Sequence, residues 1–454
     1  MDKYLSRSID QALLEWKDNP RRKPLLVRGA RQVGKSSTIR HLGKNFKYFL
    51  EVNVERNPEV MEFFKGSRDV KTIAAKLSDF FNVPVVPGET LLFLDEIQKC
   101  EDVIHSLWFF KEDYPELHVI AAGSLLEFAL KNLSSFGVGR VSSLFVYPMS
   151  FDEFLTATRQ EGLLRIKRNS SPTNPLPEAF YNRLVEAFRS YMLVGGMPEA
   201  VATYTETGSY RYSSDIVNEI IQGYQDDFAK YGAKANPQLL RQTLISVAHQ
   251  AGAKFVYSRV EGQYRSAEVK VALEMLKDAG LIIPTYHTDA NGVPLGAEIN
   301  ERVVKYLIHD TGVLLGILGI DDDIGERIKE MMVADSIDLV DKGHVAEMMA
   351  GLELIKYSSP QKRHQLYYWQ NMNKGTCAEV DYVIARSGSI VPIEVKSGVK
   401  GSMSSMYSLM RNPQKHIEMG IRCSLENFGT FASPDGKKID IIPLYAISNL
   451  FAEK

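Results

Sequence analysis

Between residues 24 and 150 the chain alternates short, nearly continuous apolar runs with stretches where apolar residues return every three or four positions. Uninterrupted apolar runs mark strands covered on both faces, and the longer period marks helices. The pattern predicts strands at 24–27, 48–54, 90–94 and 118–122, with a helix at 36–41 after the first. Strands alternating with helices make βαβ units and a parallel sheet. Ahead of them, Leu5, Ile9, Leu13, Leu14 and Trp16 recur at helical spacing up to the Asp18-Asn19-Pro20 turn signal.

Beyond 150 the plan changes. Residues 151–232 read mostly as helix, interrupted by a polar loop at 169–177 and by Gly195-Gly196-Met197-Pro198. Residues 233–315 begin with two amphipathic helices, 239–250 and 266–279. Gly280 then reads as a C-cap and 281–284 as the start of a hairpin. Helix, helix and hairpin are the outline of a winged helix-turn-helix. Residues 335–454 place a helix at 343–355 before strands at 366–369, 379–384 and 389–395, with a last strand at 439–445. The expected organisation is therefore 1–150, 151–232, 233–315 and 335–454.

Composition narrows the function classes. The 454 residues are 44% hydrophobic and 24% charged, as in an ordinary globular protein, which argues against disorder. The net charge of −2 excludes a basic nucleic-acid packer but leaves room for a local basic groove. The 3 cysteines, Cys100, Cys377 and Cys423, are far apart, so neither a disulfide framework nor a Cys-rich zinc site is expected. No signal-like stretch follows Met1, and no apolar run is long enough to span a bilayer. The expectation is a cytoplasmic protein without a membrane partner.

Two constellations carry chemistry. Gly29-Ala30-Arg31-Gln32-Val33-Gly34-Lys35-Ser36 fits G-x-x-x-x-G-K-[ST] in full, between a strand and a helix that continues with Ser37. The glycines let backbone N–H groups turn inward around a phosphate, and the helix adds its positive end. Lys35 is expected to neutralise the β- and γ-phosphates of ATP and Ser36 to ligate Mg²⁺. The run Leu91-Leu92-Phe93-Leu94-Asp95-Glu96 supplies a second half: Asp95 to hold Mg²⁺ and Glu96 to orient or deprotonate the attacking water. Ser124, after the strand at 118–122, could sense the γ-phosphate or position the lytic water. Arg140 is either a finger that stabilises transition-state charge, in cis or across a subunit interface, or a surface ion pair. Gly195-Gly196-Met197-Pro198 is either a cradle for adenine or a plain helix–helix turn.

The second constellation is D-x(n)-E-x-K, formed by Asp381, Glu394 and Lys396. Alternation puts Glu394 and Lys396 on one strand face, and a hairpin brings Asp381 beside them. Two carboxylates and a lysine suit Mg²⁺-dependent phosphodiester hydrolysis. Glu347 on the preceding helix is the expected third ligand, with Glu353 as the fallback, and Glu379 shares the face of Asp381. The alternative is a purely structural pairing of Lys396 with Glu394 or Asp381. Arg259, Arg265, Lys270 and Lys277 in the winged-helix stretch could meet phosphates, although Glu268, Glu274 and Asp278 dilute the field; the alternative is a packing role between the ATPase and the C-terminal domain.

With these residues on the page, the chain resembles a broad bacterial and archaeal family of AAA-type ATPases. Its members carry a C-terminal domain of unknown function with a restriction-endonuclease-like fold. The most specific pieces are residues 29–36, Leu94-Asp95-Glu96-Ile97-Gln98, Gly123-Ser124-Leu125-Leu126-Glu127 and Gly139-Arg140-Val141. Further pieces are Pro148-Met149-Ser150-Phe151-Asp152-Glu153-Phe154, Gly195-Gly196-Met197-Pro198 and Lys305-Tyr306 with Asp310 and Gly312. The last is Glu379-Val380-Asp381 with Ile393-Glu394-Val395-Lys396. Gly137 departs from the pattern, where the close subgroup is expected to have proline. The resemblance implies an α/β protein: a P-loop parallel sheet with a helical lid, a winged helix and a nuclease-like domain. It also implies ATP binding by Gly34, Lys35 and Ser36, with hydrolysis through Asp95 and Glu96, and a nuclease-like role for Asp381, Glu394 and Lys396. Two functions follow. One is an Mg²⁺-dependent ATPase that drives a domain acting on DNA or another nucleic acid. The other is a nucleotide-gated adaptor for a protein partner with an inactive nuclease-like scaffold. An arginine acting in trans would require a homo-oligomer.

Overall fold

The computed structural model describes residues 4–132, 139–231, 236–319, 342–371, 378–398 and 401–451. Gly137 and Cys377 lie outside the described residues. The chain forms two compact units. The first comprises 1–147 with the short segments 278–280 and 359–363; the second holds the rest.

In the first unit, strands β1 (Leu25–Arg28), β2 (Tyr48–Asn53), β3 (Thr90–Asp95), β4 (His118–Ala122) and β5 (Ser142–Phe145) form one parallel sheet in the order β2-β3-β4-β1-β5. β3 and β4 are buried along their whole length, as their unbroken apolar runs require. Leu26, Leu92, Leu94, Val119 and Ala121 from the strands pack with Ile73, Leu77, Leu107 and Phe110 from the helices Val70–Phe81 and Glu101–Asp113. From β1 the chain crosses toward β2, whereas from β4 it crosses the other way to β5. Adjacent β1 and β4 thus form the switch point at which such sheets bind ligands, beyond the strands' carboxyl ends. β5 escapes the periodicity because it is short and half serine.

The second unit begins with helices, among them Phe151–Ala157, Glu178–Val194, Pro198–Thr207 and Tyr210–Asp227. Ser150 opens the first with a capping box to Glu153. The helices Pro237–His249 and Ser266–Asp278 precede a hairpin of β6 (Ile282–Thr288) and β7 (Ile299–Ile308). That hairpin is not a free wing. β6 pairs in parallel with β8 (Leu366–Gln370), and β8 pairs with β9 (Glu379–Val380), so one sheet of order β7-β6-β8-β9 joins two blocks that the sequence pattern separates. A second sheet, β10-β11-β12-β14-β13, is built from β10 (Tyr382–Arg386), β11 (Ser389–Val395), β12 (Met419–Ser424), β13 (Gly429–Ala432) and β14 (Lys438–Pro443). The expected strand at 439–445 ends at Pro443 and gives way to a 3-10 segment, Leu444–Leu450. Among the described residues, no helix is long and apolar enough to cross a membrane.

Candidate functional site

The loop after β1 has the backbone that an anion cradle needs. Gly29, Gln32 and Gly34 all have positive φ, +145°, 64° and 92°. This turns consecutive N–H groups toward the start of the helix Lys35–Gly43. At Gly29 the fit is steric as well: a Cβ there would lie 2.1 Å from the Val146 carbonyl oxygen. Lys35 is buried, and its Nζ donates to the carbonyls of Gly29 at 3.0 Å and Ala30 at 2.6 Å. Burial lowers its pKa to about 8, against the pull of Glu96 and Asp95, so a phosphate beside it would favour the charged form.

The two halves of the sequence signature meet. Ser36 Oγ donates to Asp95 Oδ2 at 3.1 Å across 59 residues of chain. Asp95 Oδ1 accepts the Glu96 N–H at 3.0 Å, and burial raises the Asp95 pKa. Glu96 sits just past β3 in the left-handed region, φ 54°. Its Oε2 accepts from the Ser124 hydroxyl at 3.1 Å, from the Ser124 N–H at 3.4 Å and from the Gln98 amide. Gly123 leaves room for this arrangement, because a Cβ there would fall 2.0 Å from Gln98 Oε1.

Three further residues of this site have no role assigned by the linear pattern. Asn53, at the end of β2, lies 3.5 Å from Asp95 Oδ2. Gln98 holds Glu96. Arg7, buried, donates to the Val33 carbonyl at 2.9 Å and the Tyr147 carbonyl at 2.7 Å, bracing the loop from behind. Asn53 and Gln98 are polar residues beside apolar strand ends, a signal of the kind that flagged Asp95. Arg7 offers none, since its partners lie 26 and 140 residues away. Arg140 belongs to another contact set: its Nε donates to Glu112 at 2.7 Å and its guanidinium covers the Trp108 ring at 4.1 Å. Those contacts favour the surface ion pair. The Gly195-Gly196 turn is likewise occupied, because Gly196 N–H donates to Asp310 at 2.6 Å and its carbonyl accepts from Met149 N–H at 2.6 Å.

In the second unit, β10 and β11 pair as an antiparallel hairpin. It brings Asp381 next to the end of β11, where its Oδ2 accepts the Val395 N–H at 2.7 Å. Lys396 reaches back to Glu394 Oε1 at 2.6 Å, as two residues on one strand face should. Glu394 Oε2 is buried without a hydrogen-bond partner. Burial and then the nearby Asp381 push Glu394 up to about 7. Burial also raises Asp381, and it pushes Glu347 up to about 8 with Asp381 adding to the effect.

The expected third ligand is already engaged. Glu347 Oε1 lies 2.8 Å from Lys305 Nζ, and Glu379 lies 2.5 Å from the same nitrogen. Lys305 is 1% exposed and sits over the Tyr368 ring at 5.0 Å. Burial alone would discharge it, but Glu347, Glu379 and Asp381 hold its pKa above the ordinary value. Among the described residues, no three His, Cys, Asp or Glu side chains converge to hold a metal. The donors therefore do not fit a loaded Mg²⁺ site as they stand. Glu353 is no reserve ligand: it accepts from Tyr191 at 2.7 Å and from Phe151 N–H at 3.1 Å, inside the helical part of the unit.

The basic residues of the winged-helix stretch divide. Arg259, Arg265 and Lys270 are exposed. Lys277 is tied to Glu274, and Asp278 is a buried partner of Lys131 rather than part of a charged face.

Comparison with known families falls along these lines. Residues 21–155 match the model of the AAA domain. Residues 185–324 match a domain of unknown function (DUF8612), and residues 342–447 match another (DUF4143). No curated protein matches the chain. A solved structure described as Drosophila ORC bound to DNA is 17% identical, with 68% of this chain and 84% of that one covered. Its TM-score is 0.25, too low to carry an inference. Residues 21–155 thus match an AAA domain in sequence and carry a phosphate loop on a five-stranded parallel sheet, which supports a nucleotide-binding ATPase of the AAA type.

Proposed function

We propose that the chain is an Mg²⁺-dependent ATPase whose nucleotide state controls its C-terminal domain. The observation that carries the ATPase reading is the Ser36–Asp95 hydrogen bond, which joins the phosphate loop to the acidic end of β3. Residues 29–36 and Ser37 bind the phosphates through backbone N–H groups, with Lys35 as the cation. Ser36 and Asp95 would hold Mg²⁺, which supplies neutralisation of the phosphate charge. Glu96 orients the attacking water and takes its proton. Its carboxylate is held by Gln98 and Ser124, and Ser124 would sense the γ-phosphate or position the lytic water. Lys35→Ala should abolish binding of a fluorescent ATP analogue, and wild-type binding by this variant would overturn the assignment.

The finer organisation belongs to the same proposal: an ATPase core at 1–150, a helical lid at 151–232, a winged helix at 233–315 and a restriction-endonuclease-like domain at 335–454. The target is DNA or another nucleic acid, met by the exposed Arg259, Arg265 and Lys270 and by Lys396, in a cytoplasmic protein. A second reading, a nucleotide-gated adaptor for a protein partner with an inactive nuclease-like scaffold, draws support from the engagement of Glu347 and Glu379 by Lys305. Incubation with DNA and RNA in Mg²⁺ or Mn²⁺ separates them. Cleavage that Asp381→Ala abolishes while ATP turnover survives favours the first, and no cleavage of any form favours the second.

A further inference from the structure

Lys305 is the one buried cation that joins the hairpin β6–β7 to the carboxylates of the C-terminal sheets among the described residues. It stands in an apolar strand, flanked by the buried Val303, Val304, Tyr306 and Leu307. An ammonium group buried there is costly unless it is paired. Its partners are Glu347 from the helix Lys342–Lys356 and Glu379 from β9, and Asp381 lies within electrostatic reach. The remaining donors are also committed: Asp381 Oδ2 to the Val395 N–H, and Glu394 Oε1 to Lys396.

We propose that Lys305 is a built-in counter-ion that takes the place of a divalent cation in the Glu347–Glu379–Asp381 cluster and keeps this site from loading metal. A divalent ion binds carboxylate oxygens at about 2.0–2.6 Å. An ammonium held 2.5 to 2.8 Å from the same oxygens occupies that space. Its positive charge repels a second cation, and its tether to β7 means that it cannot be washed out. Lys305 thus offsets part of the cluster's negative charge without metal, and among these carboxylates Glu394 Oε2 is the buried oxygen left unpartnered.

The test counts bound Mn²⁺ on the nucleotide-free full chain by electron paramagnetic resonance. Wild type should show no Mn²⁺ binding that Asp381→Asn removes. Lys305→Met, which keeps the stem and deletes the charge, should gain about one ion per chain where wild type gains none. The gain should vanish in Lys305→Met/Asp381→Asn. Asp381-dependent Mn²⁺ binding by wild type overturns the proposal, and so does a folded Lys305→Met that gains none. If Lys305→Met does not fold, Lys305→Met/Glu347→Gln decides. It removes one charge of each sign and should recover the lost melting temperature, and failure to recover overturns the counter-ion role. ATP binding through Lys35 is measured separately, so the two readings fail independently.

Discussion

Gly29→Ala should damage the phosphate site more than its size suggests. The new methyl carbon would sit 2.1 Å from the Val146 carbonyl oxygen, where ordinary contact begins at 3.4 Å. Something must therefore move by about 1.3 Å. The obstacle is backbone, and Val146 is pinned by its own N–H, which donates to the Arg28 carbonyl at 2.8 Å. Position 29 also has φ +145°, where an L side chain is strained. Strain of about 1–3 kcal/mol and overpacking of about 1–3 kcal/mol together predict a loss of about 2–6 kcal/mol. Gly88→Ala is the internal control: φ is +78° but nothing lies within 4 Å of the added carbon, so only the strain remains. Thermal unfolding and titration with a fluorescent ATP analogue, run on both variants, separate the clash from the strain. Gly29→Ala should melt lower than Gly88→Ala and bind nucleotide far more weakly. Equal melting with wild-type affinity for Gly29→Ala would refute the steric account of the loop.

Other outcomes follow from the same geometry. Glu96→Gln keeps an oxygen that can accept from Ser124 but loses the base, so ATP binding should persist while phosphate release falls by about 10²–10⁴. Release at the wild-type rate would remove Glu96 from that role. Arg7→Met deletes two charge-assisted donors to Val33 and Tyr147. It should cost about 2–4 kcal/mol and weaken ATP binding although Arg7 lies outside the motif, as measured by melting and titration. His309 is buried with its Nδ1 placed to donate to the Leu281 carbonyl and its Nε2 to accept from Tyr224, and burial lowers its pKa to about 4. The unfolded chain, with a histidine near 6.5, binds the proton first. The stability from neutral His309 is therefore complete above about pH 6.5 and is lost as pH falls toward 4, by about 3 kcal/mol. Denaturation of His309→Gln across that range should show a shallower fall, and an unchanged slope would count against it.

The phosphate site was legible because its chemistry is contiguous: residues 29–36 carry the cradle, cation and hydroxyl within one turn of chain. The end of β3 was legible because Asp95 and Glu96 break an apolar run. Lys305 breaks an apolar run in the same way, yet its meaning depends on Glu347 and Glu379, 42 and 74 residues downstream, whose arrival no local pattern announces. β12 alternates Met419, Ile421 and Cys423 with Gly420, Arg422 and Ser424, but six residues with one glycine and small side chains make a weak signal that its pairing with β11 and β14 completes. The hairpin β6–β7 was visible from Gly280 onward, but its enlistment into a larger sheet was not, because pairing with β8 is decided by residues about eighty positions away.

That long-range pairing bears on how the chain is made. β6 leaves the ribosome well before β8, so at ~5–20 residues per second its outer edge waits several seconds for a neighbour. During that wait β6 presents unpaired N–H and C=O groups to any other extended strand. A fragment that stops between the winged-helix stretch and β8 would carry this open edge permanently and should self-associate, whereas one that runs through β9 closes it.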